Sequence, residues 1–158
     1  RVLFRSAGVD EIGITDHCHR FVEFSPLFEP IYKGPRAGDA EVAWLRDNLY
    51  EPLDRYVEAL VLAQQRGFPV KIGLEVDWFP GFEDFVREVL APYPWDYVLG
   101  SVHFLGDWPI DVSAEYGWPE VDVDAVYERY FRELAAAARS GLFDVLAHPD
   151  LVDRKSVV

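Results

Sequence analysis

The sequence predicts one α/β domain built on a parallel sheet whose strands end on a single functional face. Two observations carry that expectation. Apolar runs of strand length alternate with stretches of helical periodicity, in the order strand, helix, strand, helix, strand, helix, strand. Strands separated by helices pair in parallel through crossover units. Each of the four runs also ends in a residue that binds metals or moves protons: Asp16-His17 after 11–15, Glu75 after 70–74, His103 after 97–102 and His148 after 143–147. In parallel α/β barrels the strand C-termini gather on the face that holds the active site, so residues far apart in sequence meet there.

The elements follow in order. After the first run, a loop is expected over 25–38, where Pro26, Pro30, Gly34, Pro35 and Gly38 punctuate the backbone. Leu49, Leu53, Tyr56, Val57, Leu60 and Ala63 then recur with the period of an amphipathic helix. Pro52 is compatible only with a first turn, so this helix should begin near Glu51, and Gly67 should end it. The second strand is expected over 70–76. Phe82, Phe85, Val86 and Val89 mark a short helix closed by Pro92 and Pro94, and 96–102 forms the third strand. A turn-rich loop covers 106–119. Asp122 or Asp124 is suited to cap the next helix, whose core face is Val126, Tyr127, Tyr130, Phe131, Leu134 and Ala138. Gly141 ends it, and 143–147 is the fourth strand.

Composition narrows the function. At 158 residues the chain can bury one proper core, yet it falls short of the roughly 250 residues of a complete eight-strand barrel. Half of the residues are hydrophobic and 15% aromatic, which excludes disorder as the general state. No apolar run approaches the ~20 residues that span a bilayer, and the N-terminus has no signal-peptide core, so no membrane partner is expected. The single cysteine, Cys18, excludes a disulfide framework and suits a cytoplasmic location. A net charge of −13 and a pI near 4.6 argue against a nucleic-acid partner, whereas clustered carboxylates concentrate divalent cations. The chain contains no methionine, and 1–6 and 153–158 match no neighbouring pattern. An internal fragment is therefore expected, with the domain over 7–152.

Glu75, His103 and His148 supply one carboxylate and two imidazoles, a donor set suited to Zn²⁺, Mn²⁺ or Fe²⁺. They are expected within one ion's coordination sphere, with His17 on the same face but farther off. Asp16 is expected behind them, as an acceptor that orients a ligand imidazole. His19, beside Cys18, is expected to hydrogen-bond within its loop. Cys18 is disfavoured as a nucleophile because neighbours at a strand end point apart. Asp77, Trp78, Phe79, Pro80 and Gly81, like 104–110, fall in loops on the functional face, where their aromatics either shape a pocket or pack its rim.

Taken together these motifs resemble a known family. Gly13-Ile-Thr-Asp-His17, Ile72-Gly-Leu-Glu-Val-Asp77, Asp96-Tyr-Val-Leu-Gly-Ser-Val-His103-Phe104 and Phe143-Asp-Val-Leu-Ala-His148-Pro-Asp-Leu151 look like successive motifs of the polymerase and histidinol phosphatase (PHP) superfamily. Glu75-Val-Asp-Trp-Phe-Pro-Gly81 and Gly106-Asp-Trp-Pro109 are similar to its monofunctional histidinol-phosphatase branch. The resemblance implies a distorted parallel (β/α)₇ TIM-like barrel around two or three divalent ions of zinc, manganese or iron. It implies that Glu75 bridges two ions, that His103 and His148 bind one of them, and that His17 binds a third. The implied activity is metal-dependent hydrolysis of a small phosphorylated substrate, L-histidinol phosphate, in histidine biosynthesis. Glu75, His103 and His148 would act through a water on the metal. The family's opening His-x-His and closing Asp-x-His strands are absent, so the barrel is expected to be incomplete at both ends, poorly soluble and nearly inactive alone. The alternatives are a PHP-type phosphoesterase acting on nucleotides or DNA ends, and a truncated, non-catalytic metal-binding fragment.

Overall fold

The computed structural model describes residues 8–112 and 116–155. In chain order these form β1 (Ile12–His17), α1 (Ser25–Lys33), α2 (Ala40–Asn48), α3 (Leu53–Gln65), β2 (Val70–Asp77), α4 (Glu83–Leu90), β3 (Tyr97–Ser101), β4 (Phe104–Leu105), β5 (Trp108–Pro109), α5 (Val123–Arg139), β6 (Val145–Leu146) and α6 (Leu151–Lys155). The expected α/β fold is present: β1, β2, β3 and β6 pair in that order, every pair parallel. The sheet they make is open, since β1 and β6 each have one neighbour in it among the described residues.

β2 is one of the two inner strands, buried at each position from Ile72 to Asp77, as a strand covered on both faces must be. Two of the strand glycines have a steric reason. The Tyr97 side chain lies across β1 and β2, so a Cβ on Gly13 would meet its hydroxyl at 1.8 Å and one on Gly73 its ring at 2.7 Å. Side chains also pin the strand starts. Asp96, just before β3, accepts the Ile72 N–H at 2.8 Å, and Asp144, just before β6, accepts the Val98 N–H at 2.8 Å. The core has two parts. One joins Phe21, Phe24 and Phe28 to Leu74, Val76 and Val98, and the other gathers Trp108, Trp118, Tyr130 and Val152 beneath α5.

Several elements differ from the sequence expectation. Residues 25–38 are not a loop throughout, because α1 occupies the first part with Pro26 in its first turn and Pro30 inside. Burial of Leu27, Phe28 and Ile31 offsets the hydrogen bond lost at Pro30. α2 was not expected at all, and buries only Val42 and Leu45. α3 starts at Leu53, leaving Leu49 outside it, and Pro52 serves as its cap residue. The loop over 106–119 contains β5, which pairs with β4 as an antiparallel hairpin. In α5 the cap is Asp122, whose carboxylate accepts the Ala125 N–H. Its buried stripe is Val126, Tyr130, Leu134 and Ala137, while Phe131 and Ala138 are exposed. The last strand is two residues long rather than five. Of the doubtful ends, 1–6 and 156–158 lie outside the described residues, and Asp153 continues into α6.

Candidate metal centre

Strand register assembles the centre. β1 and β2 are aligned so that His17 stands opposite Glu75. His103 comes two residues after β3, and His148 two residues after β6. His148 has φ of 28°, a strained value for a residue with a Cβ. Its carbonyl is held by the Leu151 N–H at 3.0 Å and the Tyr130 hydroxyl at 3.3 Å. One carboxylate oxygen, Glu75 Oε1, then lies 3.1 Å from His148 Nε2, 3.5 Å from His103 Nε2 and 3.5 Å from His17 Nδ1. Donor atoms of His17, Glu75 and His103 all fall within 4.8 Å of one another. His17 is thus not farther off, as the sequence suggested: β1 is the direct neighbour of β2, which brings it as close to Glu75 as His103.

Charge in this cluster is finely opposed. Burial pushes the Glu75 carboxyl up, but the hydrogen bond from His148 and the surrounding imidazoles outweigh it and hold the group below its ordinary range. Burial disfavours protonation of His103, and the Asp77 carboxylate, 2.5 Å from its Nδ1, reverses this and pushes the pKa up to about 9. Asp77 is itself buried, which raises it, yet His103 keeps it below the usual carboxylate value. Among the described residues, two buried imidazole nitrogens make no hydrogen bond: Nδ1 of His148 and Nδ1 of His17, the latter 3.5 Å from Glu75 Oε1. Buried polar atoms are rarely left so. Nitrogen lone pairs beside an anionic carboxylate are the donor chemistry that divalent transition metals take, so the residues present fit a metal.

Other expectations are redistributed. Asp16 does not orient an imidazole: its Oδ2 accepts from Arg20 Nη1 at 2.6 Å and its Oδ1 from the His17 main-chain N–H at 2.9 Å. Arg20, four residues on, competes for that carboxylate. The carboxylate in contact with an imidazole is Asp77, 2.5 Å from His103 Nδ1, and its spacing of two from Glu75 in a strand is the signal that could have found it. His19 stacks on His17 with ring centroids 5.1 Å apart, and burial lowers its pKa. The Cys18 thiol is fully buried and pushed well up, unsuited to attack. Trp78 and Phe79 are buried in the core rather than facing a pocket. A cleft of about 280 Å³ does adjoin His17 and His103, with Glu41, Trp44, Phe104 and Asp111 in its walls. Glu41 and Trp44 come from α2, the helix the sequence did not announce.

The PHP domain family model matches residues 4–156. A Deinococcus radiodurans protein described as a probable histidinol-phosphatase is 44% identical over 107 residues, which are 64% of this chain and 40% of that protein. The crystal structure of histidinol phosphate phosphatase from Lactococcus lactis subsp. lactis, complexed with zinc, L-histidinol and phosphate, is similar with a TM-score of 0.67 at 20% identity. That similarity covers 95% of this chain and 50% of the other. The chain therefore spans 40% of the curated relative's length and half of the solved structure's. Because the family model covers nearly the whole sequence, and the motifs that suggested it fold onto one end of one sheet, this chain belongs to the PHP domain family.

Proposed function

We propose that this chain carries the metal centre of a histidinol-phosphatase, which hydrolyses L-histidinol phosphate to L-histidinol and phosphate in histidine biosynthesis, in the cytoplasm. The observation that carries the reading is the convergence of three imidazole nitrogens, His17 Nδ1, His103 Nε2 and His148 Nε2, on Glu75 Oε1. Identity of 44% to a probable histidinol-phosphatase supports the substrate. His17, Glu75, His103 and His148 would hold the ions, two or three of zinc, manganese or iron. A divalent ion there lowers the pKa of a coordinated water and neutralises charge on phosphoryl oxygens.

The chain's own residues do the rest. Glu75 contributes the negative charge that the imidazoles face. Asp77 holds the Nδ1 side of His103 and so turns Nε2 toward Glu75. Cys18 is too buried to act as a nucleophile, and the attacking group in this reading is water. The sequential, all-parallel order of β1, β2, β3 and β6 supports reading the sheet as an arc of a distorted (β/α)₇ barrel.

The test is phosphate release from L-histidinol phosphate by the metal-stripped full-length parent of this chain, before and after zinc or manganese is added. No release in chelator and recovery with metal are expected. Undiminished hydrolysis in excess chelator, or no recovery with either ion, would overturn the proposal.

A further inference from the structure

We propose that Cys18 is a positioning residue: its thiol clamps Asp77, and Asp77 in turn fixes the His103 ring with Nε2 presented to the metal centre. The proposal rests on reading His103 as a metal ligand. Cys18 follows His17 at the end of β1, and the β1–β2 register sets its side chain against the end of β2. Two hydrogen bonds tie it to one residue. Sγ–H donates to Asp77 Oδ2 at 3.4 Å, and Sγ accepts the Asp77 main-chain N–H at 3.3 Å. Cys18 is 0% exposed and Asp77 2% exposed, so water does not compete for either group.

The consequence is geometric. A carboxylate held through one oxygen can turn about its terminal torsion and offer a poorer angle to its partner. In Asp77 both oxygens are assigned, Oδ2 to the thiol and Oδ1 to His103 Nδ1 at 2.5 Å. With Nδ1–H committed to that oxygen, the tautomer and the ring plane are set and Nε2 faces Glu75 Oε1 at 3.5 Å. A cysteine that merely filled space would need no such pair of bonds.

Alanine, serine and valine separate the two roles. Cys18→Ser keeps a donor and an acceptor at nearly the same volume, Cys18→Ala removes both, and Cys18→Val removes both while filling the space. Zinc affinity is read by competition with a chromophoric chelator. The His103 Nδ1–H proton resonance is read by NMR in the metal-free protein. The expected result is about tenfold or greater weakening of zinc binding in Cys18→Ala, with the resonance lost to exchange, and a Cys18→Ser protein close to wild type in both. If Cys18→Ala does not fold, Cys18→Val is read in its place with the same expectation. Unchanged affinity and an unchanged resonance in the apolar variant would overturn the clamp. So would a serine variant as impaired as the apolar one. Should the wild type bind no zinc, the metal reading fails by itself, and persistence of the metal-free resonance in the apolar variant still decides against the clamp.

Discussion

His103 is drawn in two directions, since burial would strip its proton and Asp77 restores it, to a pKa of about 9. Folding therefore raises it above the ordinary 6.5, so its share of stability is complete below that value and lost as pH climbs through the folded one. Asp77 is shifted down from 3.8, so its share is complete above that value and lost on acidification. Metal-free protein is expected to be most heat-resistant between those two ordinary values, with Tm falling toward pH 9, as calorimetry in chelator would record. A flat profile across the alkaline half would refute this. Metal competes with the same proton, so affinity should rise where apo stability falls. Glu75→Gln removes the charge that all three imidazoles face, and zinc affinity is expected to drop about a hundredfold or more, beyond the tenfold to hundredfold typical of outer partners. A competition titration with unchanged affinity would exclude Glu75 as a ligand. His17, Glu75, His103 and His148 could be read from sequence because each ends or follows an apolar run. The Cys18–Asp77 pair could not, because it exists only once β1 and β2 are in register.

The strand starts share one device. Asp96 and Asp144 each stand just before a strand and accept a main-chain N–H from the preceding strand of the sheet. Such a bond links neighbouring strands at the end opposite the metal centre and so holds their register. Asp96→Ala should cost about 1 kcal/mol, below the roughly 1.5–3 kcal/mol typical of charged hydrogen bonds because the carboxylate is partly solvated. Asp144→Ala should cost a similar amount, and urea midpoints would show both. A Cβ on Gly100 would lie 2.3 Å from the Phe143 ring, so Gly100→Ala should lose roughly 1–3 kcal/mol through overpacking. Phe143→Leu on that background should recover part of the loss, and no recovery would mean the strain lies elsewhere. Elements with long, regular patterns, such as α3, α5 and β2, could be read from the sequence. α1 and α2 could not, because two prolines in one and apolar residues spread over exposed and buried positions alike in the other hide helices that form only when Leu27, Phe28, Ile31, Val42 and Leu45 find the core.

At the scale of the molecule, local pattern conveys strand order but not whether a sheet closes. Alternation of strand and helix was enough to expect parallel pairing, and β1, β2, β3 and β6 do pair so. Closure depends on tilt and stagger summed over every strand, which no window of sequence contains. The open sheet has a physical consequence, since edge strands offer unpaired N–H and C=O groups to other chains. β6 is such an edge among the described residues, and its Val145 is 52% exposed. Against edge pairing stands the net charge of −13, which makes copies of the chain repel one another. Salt screens that repulsion over about 10 Å at 0.1 M and about 3 Å at 1 M, while leaving hydrogen bonds and apolar burial largely in place. Sedimentation should therefore show the chain associating more as salt rises from low concentration toward about 1 M. Val145→Lys puts a charge on the edge that pairing would have to desolvate, and it should suppress that association without lowering Tm. A sedimentation coefficient unchanged by salt, or association undiminished in Val145→Lys, would show that the β6 edge is not where copies meet.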